Sequence, residues 1–156
     1  MIEYKKCSAI LVFNDKNELL LQLRAADDDT FPSHWDFAAG GGIDEGEDEE
    51  IAAKRELVEE LGISAELEFV ARAYFTYPAW KPNTTRETDL FIYKTHHSGP
   101  LCPNVKEVEK VEFFAIDKAD EMLASGEKFH PELKLSFEKG FVRKGGQAPF
   151  LSFVTE

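Results

Sequence analysis

Three carboxylates, Glu56, Glu59 and Glu60, stand at i, i+3 and i+4 in the run Ala52-Ala53-Lys54-Arg55-Glu56-Leu57-Val58-Glu59-Glu60-Leu61. At about 100° per residue, a helix puts all three on one face. Like charges so placed repel, and a plain surface helix gains nothing from them. A divalent cation reverses the sign of that energy. Carboxylate oxygens are hard ligands that suit Mg²⁺ or Mn²⁺ rather than zinc. Such an ion bridges phosphate oxygens, offsets their charge and activates a water, so the chemistry is water attack on phosphorus in a diphosphate.

The elements that must hold these acids are legible on either side of them. Gly40-Gly41-Gly42 permits a tight turn and a close approach of backbone to ligand. Asp48 is the expected N-cap, and Glu49 and Glu50 in the first turn suit the positive end of the helix dipole. Gly62 is the expected stop. Ile51, Leu57, Val58 and Leu61 read as an apolar stripe opposite the acids. Ala52 and Ala53 flank the acidic face, where their small size leaves room for ions and phosphates.

This stretch resembles the Nudix box, G-x5-E-x7-R-E-U-x-E-E-x-G-U with U a bulky aliphatic. Gly41, Glu47, Arg55, Glu56, Leu57, Glu59, Glu60, Gly62 and Ile63 fill it without a gap. The resemblance implies an α/β Nudix fold, an α/β/α sandwich with a mixed β-sheet, and hydrolysis of a nucleoside diphosphate linked to another moiety with Mg²⁺ or Mn²⁺. Carried over by position, the metal-site residues are Gly41, through its carbonyl, with Glu47, Glu56, Glu59 and Glu60. The catalytic set is Glu56, which also positions or deprotonates water, with Glu59, Arg55 and a distal acid. Glu47 and Arg55 resemble the pair that braces the loop against the helix, so Arg55 is structural rather than a phosphate contact. Glu107 is the candidate distal acid, because Glu107-Val108 ahead of Phe113-Phe114 is similar to an acid-then-aromatic segment of the family. Glu109 and Glu112 are its rivals, and on a strand Glu107 and Glu109 would share a face.

Phe31-Pro32-x-x-Trp35-Asp36, Glu60-Leu61-Gly62 and Gly99-Pro100 are similar to the subgroup related to isopentenyl-diphosphate isomerases. Isomerases use a cysteine before the box. The loop from Ala25 to Ala39 has none, and Cys7 lies in the first expected strand. The expectation is therefore an isomerase-like Nudix hydrolase. An isomerase acting on a prenyl diphosphate and a non-catalytic nucleotide-sensing module stand as alternatives.

Along the chain, residues 4–13 and 18–24 read as a β-hairpin around Asn14-Asp15-Lys16-Asn17. Arg24 is either a solvated strand end or a phosphate contact. Asp27-Asp28-Asp29 lacks the spacing of a calcium loop and reads as a solvated loop or cap. Strands are expected over 35–38, 67–76, 87–95 and 107–115, and helices over 117–124 and 131–139. Gly145-Gly146 reads as a break, with a terminal strand over 149–154. In the loop 77–86, Tyr77 and Trp80 could stack on a base and Lys81 and Arg86 meet phosphate. The same residues also suit a solvated proline-containing loop with one tucked aromatic. His96 and His97 point to opposite faces of a strand and make a poor metal pair.

At 156 residues the chain fits a single domain over 1–156 with a sizeable core. A net charge of −12 argues against nucleic-acid backbone or anionic membrane as partner. An anionic small-molecule substrate then needs a metal or local basic residues, and a homodimer is left open. Cys7 and Cys102 have neither metal spacing nor a disulfide framework, which points to reduced thiols and a cytoplasmic protein. No stretch approaches transmembrane length.

Overall fold

The structure is a computed structural model that describes residues 1–145 and 153–155. β1 (Ile2–Phe13) is its central strand. β2 (Leu19–Arg24), β3 (Trp35–Phe37) and β4 (Ala39–Gly42) follow, then helix α1 (Glu49–Leu61). The second half comprises β5 (Glu68–Pro78), β6 (Thr85–His96), β7 (Val108–Phe114), α2 (Ile116–Ala124), α3 (Pro131–Glu138), α4 (Phe141–Gly145) and β8 (Phe153–Thr155). The strands form one mixed sheet in the order β3-β2-β1-β6-β5-β8, with β4 also on β1 and β7 also on β2. β1 runs parallel to β6 from Ile2↔Thr85 to Phe13↔His96, and β5 returns antiparallel along β6.

The expected hairpin forms only at its turn. Asn14 Oδ1 accepts the backbone N–H groups of Lys16 and Glu18 at 3.0 and 2.9 Å, and Asn17 takes φ 60°. β1 and β2 then pair only at Phe13↔Leu19. Below that point β4 takes β2's place, pairing Cys7↔Gly42 through Ile10↔Ala39. Gly40 makes this fit possible, since a Cβ there would lie 2.6 Å from the Ser8 carbonyl oxygen. β2, released from β1, pairs with β3 and β7.

Alternation along β1 sends Cys7, Ala9, Leu11 and Phe13 to one face and Ile10 and Val12 to the other. The first face packs under the later helices through Met122, Leu133, Phe141 and Val142. The second packs under α1 through Ala53, Leu57 and Leu61. The result is the expected α/β/α sandwich.

Several elements differ from expectation. Ile51 and Val58 are 60% and 50% exposed, whereas Ala52 and Ala53 are fully buried. The helix is rolled so that its smallest residues meet the sheet, which lets the axis approach closely; bulky side chains there would hold it off. The alanines therefore do not leave open room above the acids. The roll also buries Glu60, which is 8% exposed, so core and chemistry share an edge of the helix instead of occupying opposite faces. Gly145 is the last residue of α4, packed where a Cβ would strike Leu11 Cδ1 at 2.6 Å, and Gly146 lies outside the described residues. Of the terminal strand, Phe153–Thr155 pairs in parallel with β5; residues 149–152 lie outside the described residues.

Candidate active site

α1 starts and stops as its sequence dictates. Asp48 accepts the N–H groups of Glu50 and Ile51 at 3.0 and 3.2 Å, and Gly62 ends the helix at φ 68°. The loop from β4 into the helix is clamped by Arg55. Its Nε and Nη2 each lie 3.0 Å from an oxygen of Glu47, and Nη2 reaches the Gly42 carbonyl at 3.4 Å. Glu47 Oε1 also accepts the Asp44 N–H at 3.1 Å. The guanidinium hydrogen bonds hold the Glu47 carboxyl below its usual range. Both Glu47 oxygens are thus engaged in bracing, and serving a metal would require it to leave this fork. Arg55 also points Nη1 at Glu56 Oε1, 3.0 Å away, and at Glu59 Oε2, 3.5 Å away.

Glu60 is held from the sheet. Its Oε1 accepts from Gln22 Nε2 at 3.2 Å and its Oε2 from the Gly40 N–H at 3.0 Å. Burial, reinforced by the adjacent Glu56, pushes its carboxyl up to about 8. Burial also raises Glu56, against the pull of Arg55. Glu56 lies directly on Gly41, where a Cβ would sit 2.6 Å from Glu56 Oε1. Glu56 thus sits on Gly41 and Glu60 on the adjacent Gly40, while Glu59, on the more exposed side, is drawn towards Arg55.

Of the distal acids, Glu107 precedes β7 in a turn rather than lying on the strand. It lines a cavity of about 570 Å³ together with Glu56 and Glu60, on whose rim sit Asp27–Asp29, Lys106 and Arg24. Glu109 and Glu112 lie on β7, are exposed, and line neither this cavity nor the one described next; Glu112 pairs with Lys110 at 3.6 Å. Arg24 is not a free strand end. It is half-buried between Asp36 and Asp28, at 3.0 and 3.1 Å.

A second cavity, of about 280 Å³, opens from Gly40–Gly42 and Glu60 and runs across the opposite face of the sheet. Cys7 and Lys5 lie along it, and its far end is walled by Phe31, Tyr77, Trp80 and His130 around Glu132. Lys81 and Arg86 both reach Glu3, at 2.6 and 3.2 Å. Gln22, His130 and Glu132 carried no signal in the sequence. Each is an ordinary residue type in its own segment, and only the sheet brings them together.

A carboxylate row on a capped helix, glycine backbone against it and a cleft along the sheet form a candidate site for phosphoanhydride cleavage. Comparison with known proteins agrees. The NUDIX domain family model matches residues 4–137. An uncharacterized Nudix hydrolase of Listeria innocua is 34% identical over 118 residues, covering 76% of this chain and 68% of that protein. Isopentenyl-diphosphate Delta-isomerase II of Clarkia xantiana is 32% identical over 142 residues, covering 81% of this chain and 49% of the isomerase. In fold, the chain superposes on a MutT protein from Methanosarcina mazei with a TM-score of 0.73 at 19% identity, covering 92% and 96% of the two chains. The chain belongs to the Nudix family. It is an enzyme, a hydrolase acting on phosphorus-containing anhydrides. No helix among the described residues is long and apolar enough to cross a membrane.

Proposed function

We propose that the chain is a divalent-cation-dependent pyrophosphohydrolase that cleaves a diphosphate linkage in a nucleotide or nucleoside diphosphate derivative by water attack on phosphorus. The observation that carries this reading is the seating of Glu56 on Gly41 and of Glu60 on Gly40, with Glu107 lining the same cavity as both acids. Among the described residues no three acids are already splayed into a cage. The donor set nonetheless fits Mg²⁺ or Mn²⁺: it is all oxygen, and Glu56 and Glu60 are adjacent carboxyls of one cavity whose mutual repulsion a cation would offset. Glu56, Glu60 and the Gly41 carbonyl would hold the ion, and Glu59 would join by turning from Arg55. A bound ion would offset phosphate charge and lower the pKa of water.

The chain's own residues supply the rest. Arg55, forked on Glu47, fixes the loop that presents the Gly41 carbonyl. Glu107 faces the cavity as a candidate base. Lys5, which makes no ion pair among the described residues, lies along the substrate cleft and offers a phosphate contact. The free thiols, Cys7 buried and Cys102 exposed, support a reducing, cytoplasmic setting. The test is release of phosphate or pyrophosphate from a nucleotide panel with Mg²⁺ or Mn²⁺, beside Glu59→Gln. No product from any substrate, or an unaffected variant, would end this reading.

The similarity to the Clarkia isomerase keeps a second reading in view. Cys7 lies on the cleft, but burial pushes its thiol up to about 12, so it is not ionised near neutral pH. A direct isomerisation assay on a prenyl diphosphate separates the two.

A further inference from the structure

The far end of the substrate cleft is a built site that the phosphate chemistry does not use. Glu132, in the first turn of α3, is only 9% exposed. Its Oε2 accepts from Thr88 Oγ1 at 2.9 Å and from the Tyr77 hydroxyl. Burial and the adjacent carboxylate raise the Tyr77 phenol, so it stays protonated and donates. Its Oε1 makes no hydrogen bond among the described residues and is left open to the cleft. An acceptor that faces the cleft is completed by a ligand or water that brings an N–H or O–H group.

The walls say what shape that ligand has. Phe31 sits among four rings, with centroids 4.7 Å from His130, 5.0 Å from Trp80, 5.4 Å from His34 and 6.3 Å from Tyr77. Phe31 itself has φ 45°, a conformation a bulky L-residue adopts only when its surroundings impose it. Trp80 packs against Phe31 and His34 yet remains 47% exposed, so part of its aromatic surface is left for a ligand ring. The position and acceptor character of Glu132 do not suit an apolar prenyl chain.

Resting on the hydrolase reading above, we infer that this end of the cleft selects the base of the nucleotide. Glu132 Oε1 accepts from an exocyclic amino group, so amino-bearing bases (cytosine, adenine, guanine) are preferred over their oxo counterparts. An oxo group facing the carboxylate would set acceptor against acceptor.

The test compares CMP with UMP and AMP with IMP by calorimetry in metal-free buffer, so it does not depend on turnover. The amino member of each pair should bind about tenfold tighter or better. In Glu132→Gln, the amide oxygen can still accept from Tyr77 and Thr88 while the amide N–H faces the cleft. The preference should therefore vanish or reverse towards the oxo member, with the fold checked by melting. Equal binding of the two members, binding of neither, or an unchanged preference in Glu132→Gln overturns the inference. Phosphate release from the nucleotide panel, measured separately, tests the hydrolase reading.

Discussion

The backbone N–H of Asn104 donates to the Glu60 carbonyl at 2.9 Å, which ties the segment carrying Glu107 to the last turn of the box helix. Two residues earlier, the Cys102 N–H bonds the Leu61 carbonyl at 2.9 Å. These carbonyls have no partner inside the helix, and the loop supplies one. Asn104 then accepts from the N–H groups of Glu107 and Val108, each at 3.0 Å. The helix end and the distal acid are therefore positioned by one set of hydrogen bonds.

From this anchoring, Glu107→Gln should lower kcat by roughly 10-fold or more, within the range general-base removal gives. Glu109→Gln and Glu112→Gln should stay within twofold of wild type. Steady-state kinetics of the three variants on one substrate checks this. An equal fall in all three would mean that net charge, rather than position, sets the effect.

Gly41→Ala tests the contact between backbone and ligand. A Cβ 2.6 Å from Glu56 Oε1 displaces the movable end of a side chain, not backbone. The fold should survive with a stability change within about 1 kcal/mol. Metal affinity and activity should fall about 10- to 100-fold or more, as when a ligand's supporting shell is lost. Calorimetry with Mn²⁺ and a melting curve separate the two effects.

Glu60 makes metal-free stability pH-dependent. Its carboxyl is raised from 4.5 to about 8 in the folded state, so the native protein holds the proton more tightly than the unfolded chain. Stability from this group is full below about 4.5 and declines as pH rises towards 8, by an amount on the order of a few kcal/mol. Melting temperature in chelator should fall across that window, and Glu60→Gln should flatten the slope. Mg²⁺ should raise the melting temperature more at pH 8 than at pH 5, because it competes with that proton.

Glu59→Gln should remove most activity while leaving metal-free melting nearly unchanged. Glu59 is the exposed member of the row, and its contact to Arg55, at 3.5 Å, is a surface pair. A large loss of melting temperature without metal would show that Glu59 braces the helix.

Glu47→Ala should act differently, through Arg55. Freed from the fork, the guanidinium can close further on Glu56 and Glu59 and compete with a cation. Activity at limiting Mg²⁺ should fall more than activity at saturating Mg²⁺, which a metal titration reads directly. An equal fall at both would point to loop disorder instead.

The sequence by itself determined the parts that are local. Spacing at i, i+3 and i+4 places Glu56, Glu59 and Glu60 along one side of a helix whatever surrounds it. Asp48 and Gly62 bound that helix through their own side-chain and backbone chemistry. The box identified the family, and with it the sandwich of helices on a mixed sheet. Only the tertiary structure decided the roll of α1 about its axis, since that depends on how closely Ala52 and Ala53 approach the sheet. That roll exposed Ile51 and Val58 and buried Glu60. Tertiary packing also brought Glu107 to the cavity that Glu56 and Glu60 line and left Glu109 and Glu112 off its lining, because the helix-end hydrogen bonds of Cys102 and Asn104 join segments some forty residues apart. Glu132 meets Tyr77 and Thr88 across separations of 55 and 44 residues. Such a meeting leaves no periodicity or motif in the chain, because it comes from strand order and helix packing rather than from any local preference.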